Sequence, residues 1–272
     1  EILAVFISIN FRISKRMLKY TGPFPQDITA PRIVHLEISN RCNLNCDGCY
    51  VTDKIGDELS TEEWKHIIKD LADNKVFQIT FGGGEPTLRD DYIELAQYAD
   101  SLGLNVAMTT NGTNIGANPN KDLKIFKQIN LSYHNNLENI IVPILTLCSI
   151  GVKVGINYVY EKRTQDKLMD IVKCCQTFRG IELLMLTYKP VNGDWENQIP
   201  ASKVYKKAKE LYNKYRISIG VDGYTCNKCK ANEDFCDIDS KGYIDPCSFI
   251  RNREENMNVL IKNMLMLITL FN

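Results

Sequence analysis

Net charge is what this chain most obviously lacks: 33 basic and 33 acidic side chains cancel over 272 residues. Proteins built to coat nucleic acid carry a basic excess, so no nucleic-acid partner is expected. Long apolar runs are missing too. The stretch 2–9 is apolar but too short to span a bilayer, and no basic residues precede it. The apolar tail 259–271 is interrupted by Lys262 and Asn263 and reads as a helix packing on the domain. Together with the basic stretch 12–16, these apolar ends keep membrane or lipid contact open as the alternative. Solenoid repeats, low-complexity tracts and a targeting segment are absent, and the opening at Glu1 without methionine suggests that an upstream piece is missing. A hydrophobic content of 44% with zero net charge excludes a disordered chain. The length suits one or two domains with a sizeable core.

Cysteine, by contrast, is plentiful, with ten in the chain. Cys42, Cys46 and Cys49 sit together, as do Cys226, Cys229, Cys236 and Cys247. In a chain this long such clusters hold metal more often than they staple loops, which points to a reducing, cytoplasmic compartment. Cys148 and Cys175 fall on apolar helix faces as small hydrophobes, and Cys174 points elsewhere without an assigned role. His35, His66 and His134 are scattered; His134 ends a strand and is expected to be structural and neutral.

Hydrophobic periodicity alternates between two and 3.6 along the middle of the chain. Strands are expected at 33–38, 76–81, 104–108, 129–133, 152–160, 181–187 and, shorter, 217–221. Helices are expected from Ser60, where Ser60 and Glu63 form a capping-box pattern, from about Asp90, and over 137–150, 165–178 and 202–215. Pro143 must start or kink the helix at 137–150. Read as six strand–helix units in series, the order predicts an α/β fold, a partial (β/α)6 barrel of TIM type with a parallel sheet. Ligands then gather at the carboxyl ends of the strands, where the Gly- and Asn-rich segments fall. The expected division is an N-terminal extension (1–31), the barrel (32–215), a small cysteine-rich module (216–257) and an apolar C-terminal helix (258–272).

Directly after the first strand, Cys42, Cys46 and Cys49 follow a C-x3-C-x2-C spacing. Three thiolates on so short a loop can wrap one face of a [4Fe–4S] cluster and leave one iron open, much as a catalytic zinc site keeps an open position. A structural zinc loop is the alternative. That loop, Gly83-Gly84-Glu85-Pro86 after the second strand and Thr109-Thr110-Asn111-Gly112 after the third resemble the radical S-adenosylmethionine (radical SAM) enzymes over residues 32–190. Unlike many members, this chain has Gly48 rather than an aromatic residue before the third cysteine, with Tyr50 just beyond. The resemblance implies that SAM binds the open iron and is split to methionine and a 5′-deoxyadenosyl radical, which abstracts hydrogen from a substrate. It implies SAM contacts from Tyr50, Gly83, Gly84, Glu85, Pro86, Thr109, Asn111, Ser132 and Asn157. Glu85 is expected to accept from the SAM ammonium, and Lys162 or Arg163 to pair with its carboxylate.

Cys226, Cys229, Cys236 and Cys247, with the hairpin-like run 239–247, resemble the SPASM or twitch extensions of that family and imply an auxiliary [4Fe–4S] cluster. A zinc ribbon is the alternative, and the later cysteines of a full SPASM domain are absent. The expected substrate is a peptide or a small-molecule cofactor precursor, with a flavodoxin or ferredoxin as electron donor. A lipid or isoprenoid substrate and a non-catalytic iron–sulfur electron carrier are the rival readings.

Overall fold

The computed structural model describes residues 30–249 except 52–53, 55, 117–119, 135, 190–192, 194 and 226–233. The apolar ends and two of the expected cluster ligands, Cys226 and Cys229, lie outside the described residues.

Strands and helices alternate as β1 (Ile33–Ser39), α1 (Thr61–Asp73), β2 (Gln78–Gly83), α2 (Tyr92–Ser101), β3 (Asn105–Thr110) and β4 (Gln128–Ser132). Then come α3 (Glu138–Ser149), β5 (Val154–Tyr160), α4 (Leu168–Thr177), β6 (Glu182–Thr187), α5 (Ala201–Tyr215) and β7 (Ser218–Val221). The short strands β8 (Phe235–Ile238) and β9 (Ile244–Asp245) follow. All nine strands join one sheet in the order β7-β6-β5-β4-β3-β2-β1-β8-β9, parallel except for the β8–β9 pair. The α/β fold with a parallel, partial-barrel sheet is therefore present.

Two features differ from the sequence reading. The third crossover carries only a 3-10 turn, Lys121–Ile125, so the series is not six complete strand–helix units, although the five helices expected by range are all present among the described residues. The segment ahead of that turn is rich in Asn and Gly, which break helices. In addition, the cysteine-rich stretch feeds the main sheet directly: β8 pairs with β1, setting Val34 beside Cys236 and His35 beside Asp237.

Period-two alternation sorts the sheet into two faces. Val34, Leu36, Ile38, Ile79, Phe81, Val106, Met108, Ile129 and Leu131 lie in the apolar core with the helices. Trp64 and Ile68 bury the inner stripe of α1, whose N-terminus is held by the reciprocal Ser60–Glu63 capping box. The alternate positions, beginning with His35, Glu37, Thr80, Thr109 and Asn130, line the opposite face. Pro143 sits inside α3, where it removes one backbone donor, and is itself buried. Among the described residues no helix is long and apolar enough to cross a membrane.

Candidate functional site

The loop after β1 delivers Cys42, Cys46 and Cys49 half-buried at the carboxyl end of the sheet. The Cys49 N–H donates to the Cys46 carbonyl (3.3 Å), and Lys54 Nζ donates to the Leu44 carbonyl (2.7 Å), tightening the turn. Burial pushes the Cys46 thiol up, and the neighbouring Cys49 and Cys42 thiols push it further. Three thiolates that repel one another are stabilised by a shared cation, which fits a metal cluster. His134 Nδ1 stands 3.3 Å from Cys46 Sγ, and burial lowers its pKa, in line with the expected neutral imidazole. Gly48 adopts a left-handed φ of +70°, and a Cβ there would fall 2.8 Å from the Tyr188 ring. An aromatic side chain at that position is excluded because the Tyr188 ring, supplied from beyond β6, already fills the space.

The loop after β2 clamps onto this segment. Gly84 N–H donates to the Ser39 carbonyl and Glu85 N–H to the Arg41 carbonyl, both at 2.7 Å. Gly83 has φ +104° and leaves no room for a side chain against Glu37, and a Cβ on Gly84 would collide with the Arg41 carbonyl. Both missing Cβ positions are occupied by the chain's own atoms, so the two glycines are what lets this loop lie directly against the exit from β1. Pro86 opens the 3-10 turn that follows, and Tyr50 Oη donates weakly to the Gly83 carbonyl at 3.4 Å.

Glu85 bonds within the protein. Its side chain is fully buried, and its carboxylate accepts from Thr87 N–H (3.1 Å), Thr87 Oγ1 (2.6 Å), Thr110 Oγ1 (2.7 Å) and Asn111 N–H (2.7 Å). The carboxylate thus joins the ends of β2 and β3. Asn111 in turn donates to Asn43 Oδ1 (2.8 Å) and accepts from Thr113 N–H and Oγ1, tying β3 to the cysteine loop.

Two positioning residues had no signal in the sequence. Glu58 Oε1 accepts from Ser39 Oγ (2.7 Å), Asn40 N–H (2.9 Å) and Arg41 N–H (3.3 Å), fixing the exit from β1. Buried Arg89 donates to the Ile38 and Leu59 carbonyls and makes a bidentate pair with Asp91, both bonds at 2.7 Å. Their partners lie up to 51 residues away. Such contacts leave no local pattern.

Thr109 pairs with Asn130 and Ser132 with Asn157, which sets Ser132 and Asn157 side by side at the ends of β4 and β5. Asn157 Oδ1 is buried without a hydrogen-bond partner, as are both amide atoms of Asn40. Such orphaned groups fit a polar ligand that completes them. Arg163 is engaged by Glu161 (2.9 Å) and lies over the Tyr188 ring, whereas Lys162 is exposed and its N–H donates to the Asn197 carbonyl. Cys247 is half-buried; Cys236 packs in the apolar core, where burial pushes its thiol up to about 12. Cys148, expected on an apolar helix face, is exposed instead, because its side of α3 points away from the sheet. Cys174, expected to point elsewhere, is buried in the core beside Cys175.

Comparison with known proteins agrees with this fold. The sequence model of the Radical SAM superfamily matches residues 36–139. Fe-coproporphyrin III synthase of Methanosarcina barkeri is 41% identical over 125 residues, covering 45% of this chain and 30% of that protein. PqqA peptide cyclase of Rhodopseudomonas palustris is 39% identical over 97 residues, covering 35% and 26%. The matched segment thus spans less than a third of either curated relative. Streptococcus suis SuiB, solved bound to S-adenosylmethionine, superposes with a TM-score of 0.72 at 19% identity over 89% of this chain and 66% of its own.

Proposed function

From a chain that carries a radical SAM domain, we propose an enzyme in which Cys42, Cys46 and Cys49 hold a [4Fe–4S] cluster with one iron open to SAM. Such a cluster supplies the electron that splits SAM to methionine and a 5′-deoxyadenosyl radical, which takes hydrogen from a substrate. The observation that carries this reading is the convergence of three loops. The cysteine loop, the Gly83–Gly84 segment and Asn111 are joined by direct hydrogen bonds at one end of the sheet. The donor set fits: three soft thiols on one loop and the orphaned Asn157 Oδ1.

In this reading the chain's own groups divide the work. The carbonyls of the Gly83–Gly84 segment receive the SAM ammonium. Glu85 and Pro86 hold that segment in place, and Glu85 does so from beneath. Asn157, Ser132, Asn111 and Thr109 meet the ribose and carboxylate through hydroxyl and amide groups. Tyr50 packs beside the cofactor, and Lys162 supplies the cation for the SAM carboxylate in place of the engaged Arg163. Cys226, Cys229 and Cys247 ligate an auxiliary [4Fe–4S] cluster, with Cys236 as the fourth candidate. The free thiols suit a reducing cytoplasm, with a flavodoxin or ferredoxin as electron donor.

The relatives are named for a peptide cyclase and a porphyrin synthase, and each is matched over less than a third of its own length. What they share with this chain is therefore the SAM chemistry. A peptide or a cofactor precursor is the proposed substrate, selected by residues outside the matched segment. Anaerobic reconstitution, iron and sulfide analysis, and a dithionite assay for 5′-deoxyadenosine test the reading. Two clusters with 5′-deoxyadenosine support it, and a Cys42→Ala variant that still cleaves SAM overturns it.

A further inference from the structure

Away from the cysteine loop, three metal-ligating side chains converge on the polar face of the sheet where β8 joins β1. His35, Glu37 and Asp237 each offer a donor atom, all lying within 4.8 Å of one another. Glu37 and Asp237 are buried, at 2% and 0% exposure. His35 Nδ1 is 2.5 Å from Asp237 Oδ1, which also accepts from Ser248 Oγ at 2.9 Å. The second oxygen, Asp237 Oδ2, is buried with no hydrogen-bond partner.

One atom of this arrangement, Asp237 Oδ2, is left incomplete. A buried carboxylate oxygen without a donor is costly, and a native structure that keeps one calls for a cation or water to complete it. The wall opposite is shaped for the cluster: Gly82 of β2 pairs with Glu37, and any Cβ on it would collide with the His35 ring.

We propose that His35, Glu37 and Asp237 bind one divalent cation that pins β8 to β1. One imidazole nitrogen with two carboxylates suits Mn²⁺, Fe²⁺ or Zn²⁺, whose bonds of about 2.0–2.2 Å are within reach of small side-chain rotations. Soft ions such as Cu⁺ are disfavoured because the site has no sulfur. The ion replaces the shared proton between His35 and Asp237 and supplies the partner that Asp237 Oδ2 lacks. It also fastens the segment carrying Cys236 and Cys247 to the strand that launches the cysteine loop. The proposal stands independently of the SAM reading.

Mn²⁺ is the probe, because thiolates bind it weakly and its free aqueous form gives a six-line EPR signal. The full chain, reconstituted anaerobically and freed of loose iron by brief chelation and desalting, is titrated with MnCl₂. One equivalent should vanish from the free signal, and Mn²⁺ should raise the thermal midpoint. Asp237→Asn and Glu37→Gln should each weaken binding by about tenfold or more, since even supporting partners of a metal site are worth that much. Far-UV circular dichroism verifies folding of both, and either folded variant suffices. Cys42→Ala should bind as the wild type does. An undiminished free signal with wild-type protein overturns the site, as does unchanged binding by a folded variant or loss of binding in Cys42→Ala.

Discussion

Replacing Glu85 by Gln separates two roles for the most deeply buried acid at the site. The carboxylate is fully buried and receives three donors on Oε1 and the Asn111 N–H on Oε2. A glutamine has one acceptor oxygen. Placed over the three donors, it turns its NH₂ toward the Asn111 N–H, so two buried donors face each other. Losing one charge-assisted bond costs about 1.5–3 kcal/mol, and a buried unsatisfied donor about 1–3 kcal/mol. Release of the buried charge offsets part of this, leaving a net loss of about 2–5 kcal/mol. For a domain of this size that lowers the melting temperature by about 5–15 °C. The assay is urea and thermal unfolding of cluster-free protein, followed by far-UV circular dichroism, without SAM. If Glu85→Gln unfolds within about 1 kcal/mol of the wild type while SAM binding collapses, the carboxylate faces the cofactor and the positioning role is wrong.

Three further outcomes follow from local geometry. Gly84→Ala drives a Cβ into the Arg41 carbonyl and shifts the cysteine loop, so reconstituted protein should hold less iron per chain than wild type. For Glu58, burial raises the carboxyl pKa, but the Ser39 hydroxyl, the Asn40 N–H and Arg41 outweigh it and the net shift is downward. A folded value below the unfolded one contributes stability above about pH 4.5 that is lost as pH falls through the folded value. Glu58→Gln should flatten that acid limb in thermal melts. Iodoacetamide at neutral pH should label Cys148, which is exposed, and spare Cys174 and Cys175, whose thiols burial pushes up to about 11 and about 12. Peptide mass mapping reads this out, and early labelling of Cys175 would contradict its packing.

Local rules made much of the fold legible. The Ser60–Glu63 box marks the start of α1, and apolar periodicity places β1 to β7 within a few residues of their positions. The cysteine spacing and the paired glycines are equally local, which is why the mouth of the sheet was readable. What stayed hidden depends on distant partners. Glu58 and Arg89 act on carbonyls and N–H groups that only the folded chain brings near. The four-residue strand β8 carries too few positions to show a period, so its docking beside β1 had no signal. Cys236 groups with Cys226, Cys229 and Cys247 only by spacing along the chain, and its packing among core residues of the helix-facing side had no signal there either.

The polar face of the sheet explains why this site is built on an open barrel. A closed barrel of eight strands fills its interior with layers of branched apolar side chains. Here the corresponding positions carry His35, Glu37, Thr80, Thr109, Asn130, Ser132, Asn157 and Glu182 among the smaller or apolar Gly82, Ala107, Gly155, Val159, Leu184 and Leu186, set side by side by the parallel register. Side chains this polar cannot pack dry against one another without leaving groups unpaired, as Asn157 Oδ1 and Asp237 Oδ2 already are. The face therefore has to meet water, an ion or a ligand, and among the described strands the edges β7 and β9 do not pair to close it. Filling it with aliphatic residues should stabilise the sheet and abolish the site. Asn130→Val tests the first step. Asn130 Oδ1 accepts from Gln128 Nε2 at 2.8 Å, and that side-chain amide would sit where a Cβ on neighbouring Gly155 would go. Valine removes one exchangeable, partly solvated hydrogen bond worth about 1 kcal/mol and adds apolar burial of similar size. Stability should stay within about 1 kcal/mol of wild type; a large loss in urea unfolding would mean that the polar face is itself a packed core.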